Sequence, residues 1–231
     1  MNRKEKEISQ RTKNIIITIC TVIIVLSVGA FGLITADLVS GDGFVYRESL
    51  GETVLTVGEE SISLKEISYY ILVAETNYNE AAQIYNKDNM EAFWNAKLNY
   101  KFFRNMVKQT VLDACTRDNT YYQKALKEGY MLSDEAVAEI EETAVEEINK
   151  LTEEQLEITD YQMSDMVKVL TKIAYAKEYV SNLMAQGYSE NELDTGGVIY
   201  EEMKKAYSVE VNEKIWDKIS LGAVTINNSY E

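Results

Sequence analysis

The chain contains no proline among its 231 residues, although average usage of roughly 5% would place about ten in that length. Proline stops helices because it lacks the amide donor and its ring collides with the preceding turn. A chain free of it can run long helices without interruption, and its folding needs no prolyl isomerisation. The apolar fraction of 46% is that of a folded chain. The length suits one ordinary domain plus an anchor, or two small domains at most.

Ile15 to Ile34 reads IIITICTVIIVLSVGAFGLI, twenty residues without a charge. As a helix rising 1.5 Å per residue it would span about 30 Å, the hydrocarbon thickness of a bilayer. Arg3, Lys4, Lys6, Arg11 and Lys13 precede it, against Glu5 and Glu7, and Asp37 follows it. The positive-inside rule therefore predicts a cytoplasmic N-terminus and an exported body. A cleaved signal peptide is the competing reading, with Ile34 and Ala36, or Val28 and Ala30, before the cut. The run exceeds the usual signal h-region, which favours a retained anchor. The expected organisation is a basic cytoplasmic tail at 1–14, a transmembrane anchor at 15–36, a tether at 37–52, a helical domain at 53–222 and a short tail at 223–231.

Composition excludes several functions. The net charge is −15 although the N-terminal tail is basic, so the body repels nucleic-acid phosphates and anionic headgroups, and no nucleic-acid partner is expected. Cys20 lies inside the apolar run, which leaves Cys115 alone and no disulfide framework. Histidine is absent, removing the usual general base near neutral pH and the commonest metal ligand. Cys115 therefore lacks a nucleophile's partner and reads as a small core residue. No P-loop, nucleophile elbow or calcium loop occurs. Glu141, Glu142, Glu146 and Glu147 read as a solvated helix face rather than a cation site. No catalytic residue, cofactor or metal is expected.

The exported part punctuates itself clearly. Thr53–Val57 reads as a strand, Gly58 to Glu60 as a turn, and Ser61-Ile62 as a brief returning strand. Ser63-Leu64-Lys65-Glu66 fits a capping box, followed by a helix with Ile67, Tyr70, Ile71, Ala74, Tyr78, Ala81 and Tyr85 on one face. Asp88-x-x-Glu91 gives a second start, with a helical pattern continuing through Phe93, Trp94, Phe103 and Val111 to Glu128, and Gly129 as the left-handed stop. Ser133 caps a helix with the seam Val137, Ile140, Ala144, Ile148 and Leu151. Thr159-x-x-Gln162 opens a long helix carrying Met163, Met166, Val167, Leu170, Ile173, Ala174, Val180 and Met184 inward, ended by Gly187. Ser189 to Gly197 reads as a linker or loop. Val198–Ala206 is expected as helix, Tyr207–Val211 as strand, Asn212 as the cap of a short helix with Ile215 and Trp216, and Val224–Ile226 as a last strand. The fold class is mainly α, with one or two short strand pairs after the transmembrane helix.

Val57-Gly58-Glu59-Glu60-Ser61-Ile62-Ser63-Leu64-Lys65-Glu66 resembles the V-N-G-x-x-I-(S/T)-x-x-E opening of the PrsA foldase and SurA chaperone family. Val111-Leu112-Asp113, Tyr122-Gln123-Lys124-Ala125-Leu126-Lys127-Glu128-Gly129 and Ser133-Asp134-Glu135-Ala136-Val137 resemble that family's later segments, in the same order and spacing. The helix from Thr159 and Tyr207-Ser208-Val209-Glu210-Val211-Asn212 with Ile215-Trp216 resemble segments that close the domain in clostridial-type members. The resemblance covers roughly residues 53–220. It implies an extracytoplasmic chaperone module on the membrane of a Gram-positive-type cell, cradling unfolded exported polypeptides. It does not extend to the family's parvulin prolyl isomerase: Gly187 to Val198 is far shorter than the ~50 residues a domain needs, and the histidines are missing. Asp118 and Asn119 stand where the family is more apolar, so that helix is expected to be less deeply buried there.

Sixteen tyrosines are present, and Tyr and Trp bring large contact area with a polar handle. Methionine adapts to varied partners. Tyr69, Tyr78, Trp94, Tyr100, Phe102, Met163 and Met166 are therefore the candidate client-binding set, weighed against a plain core role, which fits Tyr70, Phe103 and Trp94 best. The sequence thus predicts a non-enzymatic, membrane-anchored chaperone-like protein. The alternative is an adaptor that docks one defined partner of a membrane complex.

Overall fold

Residues 44–222, Asn99 excepted, are described in a computed structural model of the chain. The apolar run at 15–34 and the strand expected at Val224–Ile226 lie outside them. Among the described residues the fold is mainly helical, and no helix is long and apolar enough to cross a membrane.

β1 (Thr53–Val57) and β2 (Glu60–Ser63) form the expected hairpin. Gly58 sits at its turn with φ +58°, and a Cβ there would lie 2.6 Å from Gln123 Oε1 and from the Tyr207 ring, so only glycine fits. Ser63 caps α1 (Leu64–Tyr85) by accepting from the Glu66 amide at 3.2 Å. Only half of the predicted box forms, because the Glu66 carboxylate turns inward to Lys172.

The helical pattern expected from Asp88 to Glu128 is broken. A short α2 (Glu91–Trp94) leads into a hairpin of β3 (Lys97–Leu98) and β4 (Lys101–Phe102), and α3 (Phe103–Lys127) begins only afterwards. Asn89 Oδ1, rather than Asp88, accepts from the Ala92 amide. The break has a packing cause. In one straight helix Phe93 and Phe103 would stand about 15 Å apart along the axis. Folded back, their ring centroids lie 4.8 Å apart, with Trp94 5.6 Å from Phe93 and Tyr78 5.1 Å from Phe103. Edge-to-face contacts of this kind add stabilisation beyond area burial.

α4 (Asp134–Lys150) starts on Ser133 as expected, with its side chain accepting from the Ala136 amide at 3.1 Å. Thr159 does not open the next long helix. It is the buried last residue of α5 (Glu153–Thr159), which the capping box Thr152…Gln155 starts and left-handed Asp160 ends. Gln162 and Asp165 then box the start of α6 (Met163–Ala185). The inward face of α6 also differs from the predicted one: Met166, Val169, Leu170, Ala176, Tyr179 and Leu183 are buried, whereas Met163 and Met184 are exposed.

Ser189 to Gly197 is part of the fold, not a linker. It contains α7 (Glu190–Leu193), whose Leu193 is buried and whose carbonyl accepts from Tyr121 Oη at 2.7 Å. α8 (Val198–Lys204), β5 (Val209–Val211) and α9 (Glu213–Trp216) follow as expected. β5 pairs antiparallel with β1, giving the sheet order β2-β1-β5 and joining the two ends of the domain.

Apolar side chains gather in three places. The main cluster joins the sheet, α1, the first half of α3 and Trp216. A second joins Tyr121 and Ala125 of α3 to α6, α7 and α8. The third is small: Ile140 and Ala144 of α4 against Met166 and Leu170 of α6.

Candidate functional site

The third cluster lies beneath a half-open groove of about 420 Å3 between α4 and α6, lined by Met131, Leu132, Val137, Ile140, Glu141, Val167, Thr171 and Tyr175. Local sequence explains its shape. Leu132 and Val137 occupy the two positions of a hydrophobic staple around the Ser133 cap, which fixes how the chain enters α4. Thr171 donates its hydroxyl to the Val167 carbonyl at 2.7 Å, leaving its methyl for the wall. Met131 is 80% exposed at the rim, a flexible thioether held out to solvent. Around this apolar strip α4 carries Asp134, Glu135, Glu139, Glu141, Glu142, Glu146 and Glu147 against Lys150 alone.

Of the α4 residues only Ile140 and Ala144 are buried, and the main partner of the helix is α6. Elements with few buried apolar contacts are those that open most easily. The groove wall is thus the weakly held side and α6 the fixed one.

α6 is fixed by a buried polar network. Lys172 Nζ lies 2.6 Å from Glu66 Oε1, 2.8 Å from Glu60 Oε2 and 3.3 Å from Asn119 Oδ1, and Lys168 reaches the other Glu66 oxygen at 3.3 Å. Burial alone would pull the Lys172 ammonium down, but hydrogen bonds to Glu60 and Glu66 outweigh it, and the group is held protonated above its ordinary value. Beside it, Tyr70 Oη donates to Asp118 Oδ2 at 3.1 Å, and Arg117 joins Asp118 to Asp194. Burial raises the Asp118 carboxyl despite the Arg117 charge. Asp118 and Asn119 are buried, contrary to the shallow setting expected of them, because Asp118 pairs with Tyr70 of α1 and with Arg117, and Asn119 with Lys172 of α6. Cys115 is also buried, and burial pushes its thiol well above the usual range. A protonated lysine between two carboxylates and a protonated buried thiol are both poor nucleophiles. Among the described residues no group of three or more Asp, Glu, Cys or His side chains converges to hold a metal ion.

The seven residues singled out from sequence fall into different settings, and none lines the groove. Trp94 and Met166 are fully buried, Trp94 in the aromatic cluster and Met166 under the groove. Tyr78 packs edge-on to Trp94 and Phe103. Tyr69 is half-buried against Tyr70 and the groove's underlying cluster. Tyr100 and Phe102 sit on the β3–β4 hairpin, Tyr100 fully exposed. Met163 is exposed at the start of α6. Periodicity selects side chains that face the interior, so it passes over Met131 and Leu132, which precede a cap. The Leu132/Val137 staple spacing was the available signal.

No family model, no curated protein and no solved structure matches the chain.

Proposed function

We propose that this chain is a membrane-anchored, extracytoplasmic chaperone-like protein of the PrsA and SurA kind, without prolyl-isomerase activity, and that the α4–α6 groove holds apolar segments of unfolded exported polypeptides. The carrying observation is the open apolar groove with Met131 at its rim and a weakly held α4 as one wall. Its volume, about 420 Å3, is at the modest end for ligand pockets and suits a short stretch of side chains rather than a folded domain. The acidic border favours segments whose apolar residues neighbour Lys or Arg and disfavours acidic ones.

Two of the stretches that carry the resemblance touch each other, which supports reading them together. Gln123, in the second, donates to the Val57 carbonyl at 2.6 Å and accepts from the Glu59 amide at 3.1 Å, both in the first. The two stretches thus form one physical unit rather than separate helix punctuation. Anchoring rests on the Ile15–Ile34 run and its basic flank.

The test uses residues 37–231, which include the whole described core. This fragment is expected to suppress aggregation of an unfolded, disulfide-free client at modest molar excess, and Met131→Glu with Val137→Glu to abolish suppression in a fragment that still folds, its Tm lowered only by the lost Leu132/Val137 staple contact. Undiminished suppression by that pair refutes the groove. No suppression by the parent fragment refutes the chaperone reading.

One observation favours the second reading, an adaptor that docks a single partner. Most large aromatics fill the core rather than line a cradle. Crosslinking in membranes separates the two, since many captured proteins support client binding and one stoichiometric partner supports docking.

A further inference from the structure

The far end of α1 carries a surface unlike the rest of this acidic domain. Ile84 and Tyr85 are exposed there, as is Lys87 just beyond. Tyr85 meets Phe93 edge-to-face at 6.0 Å, and Phe93 meets Phe103 likewise at 4.8 Å, so the β3–β4 hairpin that immediately precedes Phe103 stands at the same end. The hairpin adds exposed Lys97 and Lys101 on paired strands, and at its turn Tyr100, 100% exposed with φ +68°. A left-handed backbone is costly for a bulky residue, and nothing in the core recovers that cost for a side chain wholly in solvent. The exposed cations at this end are Lys87, Lys97 and Lys101, against Asp88, since Arg104 is paired with Glu91 and Lys108 turns to the Trp216 carbonyl; α4, by contrast, is strongly acidic.

Exposed aromatic and aliphatic side chains interleaved with lysines match the boundary between headgroups and acyl chains. The acidic remainder strengthens the match, because an anionic surface repels the body and attracts this end, which orients the domain. Reach permits it. Tyr46 is pinned to Ser68 near the start of α1 by a 2.7 Å hydrogen bond. Ile84 lies about 24 Å further along the helix, and the nine residues between Ile34 and Phe44 can span about 30 Å when extended.

We propose that this end of the domain, with Tyr100 at its tip, rests on the anionic lipid surface of the membrane that carries the chain. This rests on the anchoring reading above. A lysine near an anionic surface strengthens association about fivefold, so the contact depends on Lys87, Lys97 and Lys101 acting together and weakens in high salt.

The test reconstitutes the full-length chain, with Cys20→Ser so that only buried Cys115 remains, into vesicles of phosphatidylcholine alone or with one quarter phosphatidylglycerol. An environment-sensitive fluorophore is placed at Tyr100→Cys or, as a control, at exposed Val198→Cys, and a quencher is carried on the lipid headgroups. Quenching at position 100 is expected to be at least twofold greater in the anionic vesicles, to vanish with Lys97→Glu/Lys101→Glu, and to be absent at position 198. A chain that floats with anionic vesicles while the probe at 100 stays in water overturns this contact and leaves anchoring intact. A chain that fails to float overturns anchoring and this proposal with it. Equal quenching in neutral vesicles, or shielding of position 100 only when a client protein is added, also overturns it.

Discussion

Replacing Lys172 by Met is expected to be among the most damaging single changes to the helical core, and the reason is electrostatic rather than steric. The ammonium compensates Glu66, whose carboxylate is buried on the face shared by α1, α3 and α6. Removing one partner of a buried pair leaves an uncompensated charge and costs about 3–5 kcal/mol. Lys168 touches the second Glu66 oxygen at 3.3 Å but is itself largely exposed, so it offsets little of that. In a domain of this size each kcal/mol moves Tm by about 2–4 °C, which places Lys172→Met roughly 6–20 °C below the parent. The double change Glu66→Leu/Lys172→Met removes both buried charges. Glu60 and Lys168 can then hydrate, and the main residual cost is the Asn119 oxygen that loses its donor, about 1–2 kcal/mol. The double variant is therefore expected to be more stable than the single one. Thermal and urea unfolding of residues 37–231 in all four forms closes the cycle. A single variant within about 1 kcal/mol of the parent, or a double variant no better than the single, refutes the reasoning. The folded-state value for Lys172 is raised, so the stability it supplies is fully present below its unfolded value and is lost only as pH climbs through the still higher folded one.

Lys108 behaves oppositely. Burial beside the Trp216 ring and carbonyl pushes its ammonium down to about 8. Between there and the ordinary lysine value the native state binds fewer protons, so stability rises with pH across that window, and Lys108→Met should remove that rise in Tm. Gly222→Ala is expected to cost about 1–3 kcal/mol, because φ is +84° and the new Cβ would sit 2.5 Å from the Trp94 ring; unchanged Tm would count against that packing. Cys115, the only thiol in residues 37–231, should resist a thiol reagent at pH 8 until urea unfolds the domain, since burial both shields it and keeps it protonated. Rapid labelling of the native fragment would show that this part of α3 opens.

Punctuation by single residues was the most legible layer of the sequence. Gly58, Ser63, Gly129, Ser133 and Gly187 each mark a boundary where one side chain, or the lack of one, satisfies the backbone. The failures share a cause: tertiary contacts overrode local pattern. A helical period continues through Phe93, Trp94 and Phe103, but those rings lower the free energy more by meeting than by continuing the helix. Glu66 looks like the closing member of a cap until Lys172, more than a hundred residues later, claims it. Asp118 and Asn119 read as less deeply buried because their partners Tyr70 on α1 and Lys172 on α6 cannot be seen from their own segment. The groove escaped notice for a different reason. Interior-facing periodicity finds Val137, Ile140 and Val167 but reads them as closed core, and it passes over the exposed rim residue Met131 that completes the groove with them.

The domain thus holds two regimes of stability, and the difference bears on how a groove could exchange ligands. α3 and α6 share their most extensive helix contact with each other and are tied to α1 and the sheet by ion pairs and by Gln123. α4 contributes two buried side chains and a row of mutually repelling carboxylates. Local opening free energies follow such differences in burial. Native-state hydrogen exchange should therefore find α4 amides around Ile140 and Ala144 opening well below the global unfolding free energy, while those around Cys115 and Lys172 exchange only through global unfolding. Ile140→Ala, which removes a buried aliphatic side chain of the kind worth about 2–5 kcal/mol in a rigid core, should lower protection in α4 while barely changing it in α3. Addition of an apolar, lysine-bearing peptide should raise protection in α4 first, since a ligand that bridges both walls stabilises the closed helix by mass action. If α4 and α3 exchange through one common opening, the wall is not separately mobile, and the groove must bind its ligand as a fixed surface.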